Sequence, residues 1–510
     1  MGAADRTGGT VPMGQASATF TPAHRPIDPW SAHRSNYGDG TTPPVARRAH
    51  ADEGGRLGTP VRVQPQAPPA VLNLAQVTLL VALSVAVKGM GAFYRPVQLV
   101  SGGLLALAAG VAVVSSHRRQ LVSTGVALPV AAVIAALLAF GTWAVARGAM
   151  AGDIAPGLPV LALTAALTVG LVLGHLATVR QRRMLHHAVA VTGVVSALSG
   201  WVGYVWRIEP LALPGTRLWR AAGTLTYENA LACLVVAAAM VVAAGLVARE
   251  TPVGSAALCL LLVGGAATQS RGGAVALIAG VATLGANLGW RSLLRAVVRP
   301  AIGAAIAAAT LVPSAAVTAA ARPDLAIMGV ATGLVIAVWP RRFVPVRVLA
   351  VVGALLLLVG LGGAAFVSQQ TDISVLNGRF SLSSTHRVAQ HRAALELLAQ
   401  QPLVGTGPGE AELRWRNDDG QTLVGRFVHN EYLQVTVELG VIGGLLLLLI
   451  LAAMTRAVWL GRPTAGPPWA GVVAALVAVA VHGGLDFVWH MPVIPLIAAL
   501  LGGTATTVRQ

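Results

Sequence analysis

The stretch "RFVHNEYLQVTVELGVIGGLLLLLI", residues 426–450, joins two kinds of sequence. Its second half is an apolar run of the kind that crosses a bilayer as a helix of about 20 residues. Its first half carries His429, Asn430, Glu431 and Tyr432 at the edge of that helix. Ionisable residues are costly near the bilayer unless they meet a partner or a ligand, so the stretch predicts a functional site at a membrane surface.

The composition of the whole chain indicates a membrane protein. The 510 residues are 55% hydrophobic and 11% charged, and the mean hydropathy is +0.71, which is typical of long apolar runs that cross membranes. The net charge is +17, but the basic residues lie in short clusters between apolar runs, where they set orientation, so no nucleic-acid partner is predicted. Cys233 and Cys259 both lie in apolar runs, which indicates neither a disulfide framework nor a metal cluster.

Four segments differ in character along the chain. Residues 1–70 are rich in Gly, Pro, Ala, Thr, Arg and His and have no apolar run, so they are predicted to be a disordered cytoplasmic tail. This tail lacks the apolar region of a cleavable signal peptide, and the first apolar run is expected to be an uncleaved anchor. We predict transmembrane helices 1–11 within 71–368, an external catalytic loop at 369–435 and the C-terminal transmembrane helices within 436–510.

The apolar runs predict an all-α, polytopic integral membrane protein of about 12–14 transmembrane helices. Several runs are shorter than a bilayer requires, and those between residues 255 and 340 leave the count open. When both termini are cytoplasmic, the short loops on that side hold 15 basic residues against 8 outside, as the positive-inside rule requires. The candidate spans are 70–87, 96–115, 121–145, 157–178, 188–206, 229–247, 255–269, 274–289, 300–320, 325–339, 348–368, 436–455, 468–486 and 491–507.

The large external loop has its own local signals. The segment "HRVAQHRAALELLAQQPLVGTGPG" at 386–409 favours a short helix that stops before Pro402. On that helix Arg387 and His391 share one face, because they are four residues apart. The "GTGPG" sequence predicts a turn with positive φ angles.

The outward-facing polar residues suit a phosphate-bearing substrate. Arg271, in "TQSRGG", lies at the outer end of two joined runs, and the arginine fork matches phosphate oxygens. The imidazole of His429 ordinarily titrates near neutral pH, as a general base requires. Glu431 and Glu438 share one helix face and are further candidate catalytic carboxylates. No ligand spacing indicates a metal or cofactor, so arginines would neutralise a departing diphosphate.

Five pieces of sequence, in the same order, resemble the O-antigen ligase and polymerase superfamily of bacterial inner membranes. The third and fourth are the most specific, and together the pieces cover most of the chain after residue 220. They are "TLTYENALA" (224–232), "TQSRGG" (268–273), "HRVAQHRAALELLAQQPLVGTGPG" (386–409), "HNEYLQVTVELGVIGG" (429–444) and "HGGLDFVWHMPVIPLIAALLGG" (482–503).

The resemblance implies a GT-C-like glycosyltransferase that needs no metal. Such an enzyme moves a glycan from an undecaprenyl-diphosphate carrier to an acceptor hydroxyl of a glycan, lipid or protein on the outer face of the cytoplasmic membrane. Matched residue by residue, it implies that Arg271 and Arg387 bind the diphosphate and that His429 is the base. Arg379 lies close enough in the loop to compete with Arg387 for this role.

Some positions depart from that family pattern or support the site. His391 stands where an aromatic residue is frequent, and the 116-residue interval from Arg271 to Arg387 is longer than expected, which a helix pair inserted at 300–339 would explain. Asp486 and His482 are four residues apart in the predicted penultimate span. They are expected to pair with each other or with a loop arginine. Asn430 is expected to cap its helix, and Tyr432 lies beside it.

Other interpretations of the same residues remain open. Arg271 suits an interfacial anchor, Arg387 a solvated helix charge, and His429 a surface histidine. At the level of function, a polymerase of the same superfamily would use the same chemistry on a different acceptor. A lipid-carrier flippase or transporter would instead place charges inside the membrane and show repeat halves, which this sequence lacks. A scaffold would not require these residues in this order.

Overall fold

The fold is helical, as the sequence predicts, and the computed structural model describes residues 70–118, 128–215, 217–340, 385–416, 420–462 and 466–506. Residues 1–69, Arg379 and the predicted span 348–368 lie outside the described residues. The helices are α1 (Ala70–Lys88), α2 (Arg95–Arg118), α3 (Leu128–Met150), α4 (Leu158–His175), α5 (Val179–Trp206), α6 (Glu228–Ala248), α7 (Pro252–Thr268), α8 (Arg271–Leu288), α9 (Trp290–Ala309), α10 (Pro323–Val338), α11 (Thr385–Gln400), α12 (Glu431–Leu460), α13 (Pro467–Gly483) and α14 (Val493–Ala505).

Each predicted span within the described ranges overlaps a helix, but the predicted span 300–320 is wrong in its second half, because α9 ends at Ala309. Seven of the described helices are long and apolar enough to cross a membrane, and several shorter apolar helices accompany them. Helices α5 and α9 begin well before the predicted spans 188–206 and 300–320, because the basic clusters before those spans are also helical. Thr178 and Gln181 form a reciprocal capping box that starts α5 at Val179, and α9 starts at Trp290 and continues through Pro300.

Helix α6 lies at the centre of the described helices. Nearly all of its side chains are buried, and it packs against α5, α7, α8 and α13. Small residues allow such close packing in place of the large apolar contacts of a soluble core. Between α9 and α10, for example, Gly303 and Gly333 approach so closely that a side chain on either would collide with the backbone of the other.

Two small β-ribbons lie in the loops between helices. β1 (Ala212–Pro214) pairs antiparallel with β2 (Trp219–Ala221), and β3 (Leu413–Arg416) pairs antiparallel with β4 (Thr422–Gly425). Only short helices were predicted for the loop 369–435, which contains β3 and β4. Strands of three or four residues are too short to show an alternating pattern, which explains why the ribbons were not predicted.

Helix α12 is broken at Gly440, whose φ of 69° and ψ of −174° are not helical. The break removes helical partners from nearby backbone groups, and the loop before β3 replaces them. Thr406 N–H donates to the Val437 carbonyl at 2.9 Å, and Gly407 N–H donates to the Glu438 carbonyl at 2.8 Å. A broken membrane helix is tolerated where protein groups satisfy its backbone in this way.

Arg147 of α3 clamps the loop in this position. Its Nη2 donates to the Gly405 carbonyl at 2.8 Å, its Nε donates to the Val404 carbonyl at 3.0 Å, and Nη2 also reaches Gln401 Oε1 at 3.1 Å. We call Arg147, residues 401–407 and Gly440 the loop–helix junction. Trp143, one turn earlier on α3, donates to the Leu439 carbonyl at 2.9 Å and ties the broken helix to the same support.

The glycines of the "GTGPG" turn behave as predicted. Gly405, Gly407 and Gly409 have φ angles of 70°, 118° and 73°, a region that favours glycine. The turn therefore takes the loop from α11 past the Gly440 break and on to β3, and it brings the loop helix and α12 into one packed unit.

Candidate functional site

Four side chains from three parts of the chain meet at Asp486, which lies just after α13. Tyr227 Oη donates to Asp486 Oδ1 at 2.6 Å, and Asn229 Nδ2 donates to Oδ2. His429 Nδ1 lies 3.0 Å from Oδ1, and Arg387 Nη2 lies 3.5 Å from Oδ2. We call Tyr227, Asn229, Arg387, His429 and Asp486 the Asp486 cluster.

Asp486 is ionised in this environment. Burial by itself would raise the pKa of its carboxyl group, but hydrogen bonds from His429, Tyr227 and the Phe487 N–H lower the pKa below its ordinary value. The Tyr227 hydroxyl stays protonated, because burial and the adjacent carboxylate raise its pKa. Asp486 is 2% exposed, so it acts as a buried anion surrounded by donors.

This charge fixes which nitrogen of His429 carries the proton. An ionised carboxylate only accepts hydrogen bonds, so the Nδ1 of His429 is the protonated nitrogen that donates to Asp486. The neutral ring then has an unprotonated Nε2, which makes no hydrogen bond to any described residue. The His429 side chain is 26% exposed, and its geometry is that of a base oriented by a buried carboxylate.

Arginine side chains lie near the Asp486 cluster. Arg387 of α11 also donates from Nη1 to the Leu485 carbonyl at 3.3 Å. Arg271, the first residue of α8, lies within electrostatic range of both Arg387 and Arg220. Arg220 forms an ion pair with Glu228 and donates to Asn229 Oδ1 at 3.0 Å, so it contacts one member of the Asp486 cluster. Arg271 therefore lies in the electrostatic field of two other guanidinium groups, and forked donors of this kind suit phosphate oxygens.

One of the two partners expected for Asp486 contacts it in the fold. Asp486 pairs with a loop arginine, Arg387, as one of the two alternatives predicted. The other alternative, a pair with His482 on one helix, is wrong because α13 ends at Gly483 and Asp486 belongs to the following turn. His482 is fully buried, and neither ring nitrogen bonds to a described residue. Its ring packs against the backbone of Gly272, beside Arg271.

His391 and Asn430 behave as their local patterns indicate. His391 lies one turn after Arg387 on α11, and burial, with the nearby charges of Arg387 and His429, lowers its pKa. Asn430 caps α12 through a hydrogen bond from the Leu433 N–H to its Oδ1 at 3.1 Å, as predicted. Tyr432 donates to the Ala480 carbonyl at 2.8 Å and so joins α12 to α13.

The two glutamates of α12 have different surroundings. Glu431 is 1% exposed, and its carboxylate accepts from the N–H groups of Trp489 and His490. Its Oε2 also lies 3.0 Å from His490 Nδ1. Glu438 accepts from Gln434 Nε2 at 2.6 Å and lies at the break in α12. Neither glutamate contacts the Asp486 cluster, so catalytic roles for both stay predictions.

Sequence reasoning did not single out several residues of this region. Tyr227 and Asn229 lie within the quoted "TLTYENALA" piece, and His490 lies within the last quoted piece, but none of them was predicted to be a site residue. Only their shared partners in the fold reveal them. Among the described residues, no group of three His, Cys, Asp or Glu side chains is arranged to hold a metal ion.

One family model matches part of the chain. No curated protein sequence matches the chain. Residues 309–448 match a family model described as O-antigen ligase, and this region contains α11, residues 401–407, His429 and the first part of α12. The multi-pass helices and this match support the resemblance of the chain to the O-antigen ligase and polymerase superfamily.

Proposed function

We propose that the protein is a metal-independent membrane glycosyltransferase. It takes a glycan from an undecaprenyl-diphosphate carrier and transfers it to an acceptor hydroxyl on the outer face of the cytoplasmic membrane. The match to the O-antigen ligase family supports an enzyme of the ligase or polymerase type. The observation that carries the proposal is the contact of His429 with the buried Asp486, which Arg387 also contacts. Arg387 in turn lies within electrostatic range of Arg271.

The proposed reaction begins at His429. Its unprotonated Nε2 accepts the proton of the acceptor hydroxyl as the hydroxyl oxygen forms a bond to the anomeric carbon of the glycan. Asp486, bonded to Nδ1, stabilises the imidazolium that forms. The Tyr227 and Asn229 side chains keep the carboxylate oriented while the charge develops.

Arginines act on the other side of the reacting carbon. The bond from the anomeric carbon to the diphosphate oxygen breaks, and the electron pair leaves with the diphosphate. Arg271 and Arg387 bind that negative charge through forked N–H donors, which suit phosphate oxygens better than the single ammonium of lysine. Preorganised donors of this kind stabilise developing charge without a metal ion.

Purified full-length protein in lipid nanodiscs tests the proposal directly. A polyprenyl-diphosphate glycan, labelled in the glycan, is supplied with candidate acceptors, and both glycan transfer and release of the carrier diphosphate are measured. We expect coupled transfer and release without an ion gradient. Movement of the intact lipid across the bilayer with no diphosphate release would instead identify a flippase.

Orientation is part of the same proposal, with both termini in the cytoplasm and the loop around 369–435 outside. Gly420 is exposed at the turn between β3 and β4, so a Gly420→Cys variant gives an accessible thiol. We expect a membrane-impermeant maleimide to label it from outside intact spheroplasts, because the basic loops favour this register. Labelling that requires permeabilised membranes would reverse the orientation and remove the site from the outer face.

A further inference from the structure

The turn that carries Asp486 is held by a glutamate from another helix. Glu431, the first residue of α12, accepts from the N–H of His490 at 3.2 Å and also from the N–H of Trp489. Its second carboxylate oxygen lies 3.0 Å from His490 Nδ1. One buried carboxylate therefore accepts hydrogen bonds from the backbone and lies within ion-pair distance of a side chain in the turn that follows α13.

The two segments joined in this way are those that carry the proposed base and its partner. His429 lies two residues before Glu431, and Asp486 lies four residues before His490. The rings of Phe427 and Phe487 also stack between the segments, with centroids 4.9 Å apart and planes 16° apart. The segments thus meet at the His429–Asp486 contact, the aromatic stack and the Glu431–His490 contact.

The His490 ring strengthens the join by packing against the aromatic stack. Its edge meets the ring of Phe427 at a centroid distance of 4.8 Å. On the other side, Phe487 stacks on Tyr227 with centroids 4.9 Å apart, and Tyr227 donates to Asp486. A continuous set of contacts therefore runs from the Glu431–His490 pair to the carboxylate that orients His429.

We infer that Glu431 and His490 form a positioning pair, which holds the turn containing Asp486 against the segment containing His429. This inference rests on the proposed function, because it assigns the pair to the transfer step. Neither residue touches the reacting atoms in this assignment. A displacement of about 1 Å in a catalytic arrangement slows a reaction by roughly 10²-fold, so a pair that fixes this distance affects turnover strongly.

The ion pair of Glu431 and His490 depends on pH, because the His490 ring is charged only below its pKa. Burial disfavours the charged ring, but the Glu431 carboxylate, its hydrogen bond to His490 and the charge of Glu438 together raise the pKa of His490 to about 9. A raised pKa means that the ion pair stabilises the folded protein fully below the ordinary histidine range. That contribution falls as pH rises and is lost above about pH 9.

Variants of the pair test the inference in nanodiscs with the full-length protein. Glu431→Gln keeps an oxygen that accepts from the backbone N–H groups but removes the charge, and His490→Gln removes the ring and its charge. The control is Glu396→Gln, because Glu396 is exposed on α11. Turnover from pH 6 to pH 10 and donor binding are measured separately for each variant and for the double variant.

We expect each single variant to reduce turnover by about 10–100-fold while donor binding changes by less than about twofold. The double variant should be no slower than the slower single variant, because the pair acts as a unit. Wild-type turnover should fall as pH rises through about 9. That fall should shift to lower pH in Glu431→Gln and disappear in His490→Gln, a change that a merely structural role would not produce.

Single variants with wild-type turnover and an unchanged alkaline fall would overturn the inference while leaving the proposed function intact. A wild-type protein that neither transfers glycan nor releases diphosphate would refute both. If a variant does not fold, the wild-type profile decides, because constant turnover from pH 7 to pH 10 contradicts the assigned role of charged His490.

Discussion

Arginines join the segment from α11 to α12 to other parts of the fold in two regions, and the two regions use their charges differently. In the loop–helix junction, the guanidinium group of Arg147 bonds to the carbonyls of Val404 and Gly405 and to the Gln401 side chain. In the Asp486 cluster, Arg387 meets a buried carboxylate at 3.5 Å and stays 27% exposed. The first arrangement satisfies backbone groups, whereas the second keeps cationic groups near an oriented histidine.

The difference between the two regions indicates which arginines are placed to bind an anionic substrate. An arginine whose donors bond to buried backbone carbonyls of a loop satisfies groups that have no partner in a helix or strand, and its loss should affect folding. Arginines that lie close to one another repel, and an anionic ligand relieves that repulsion. Arg271, Arg220 and Arg387 are in the second situation. The comparison therefore predicts losses of rate at one region and losses of stability at the other.

The largest effect is expected from His429→Ala. Removal of the proposed base should slow transfer by about 10²–10⁴-fold, because a general base contributes about that much. Donor binding and thermal stability should stay near the wild-type values, since the ring is partly exposed. The measurement is single-turnover transfer with donor binding in parallel, and His187→Ala, at an exposed position on α5, is the control. Transfer within threefold of wild type would remove the assignment of His429 as base.

A smaller loss of rate is expected from Arg387→Lys and Arg271→Lys. Each change keeps the charge but loses the forked geometry that matches phosphate oxygens, so transfer should fall by roughly 10–100-fold. Donor affinity should weaken too, in contrast to His429→Ala. The matched control is Arg392→Lys, because Arg392 is exposed on the same helix as Arg387. Unchanged affinity and rate would reduce both arginines to interfacial anchors.

Arg147→Met should change stability. The substitution leaves the carbonyls of Val404 and Gly405 without their donor, and each unsatisfied buried group costs about 1–3 kcal/mol. We expect the free energy of unfolding to fall by about 2–5 kcal/mol, with transfer lost in proportion to the folded fraction. Arg291→Met is the control, because Arg291 is exposed on α9. An equally stable Arg147→Met protein with slow transfer would place Arg147 with the substrate-binding arginines and break the comparison.

The smallest effect is expected from removal of divalent cations. Arginines take the charge-neutralising role in the proposed mechanism, so transfer should be unchanged in EDTA. Activity is measured before and after dialysis against the chelator, and then with Mg²⁺, Mn²⁺ or Zn²⁺ added back. A loss in EDTA that a divalent cation restores would contradict this role for the arginines.

Local features of the site were predictable from the sequence. The Asn430 cap and the positive φ angles of the "GTGPG" turn follow from residue type and nearest neighbours. The positions of the helices follow from the apolar runs, since about 20 apolar residues have few other places to lie than a membrane. Arg387 and His391 share a face for an equally local reason.

Features that depend on distant partners were not predictable. Nothing near Arg147 indicates that its partners lie 257 residues away at Val404. The break at Gly440 lies in an apolar run whose glycines also suit close helix packing, so its sequence did not identify the break. The pairing of Glu431 with His490 likewise requires the turn after α13 to fold against the start of α12.

The clamp on the loop also has a consequence for biosynthesis. Arg147 is translated 257 residues before the Val404 carbonyl to which it bonds, and at about 5–20 residues per second that interval lasts roughly 10–50 s. During this time the carbonyls to which Arg147 bonds have not been synthesised, so its donors need water as a partner. Packing of residues 401–407 against α3 is therefore a late event in assembly, and a nascent chain truncated before Gly405 lacks this contact.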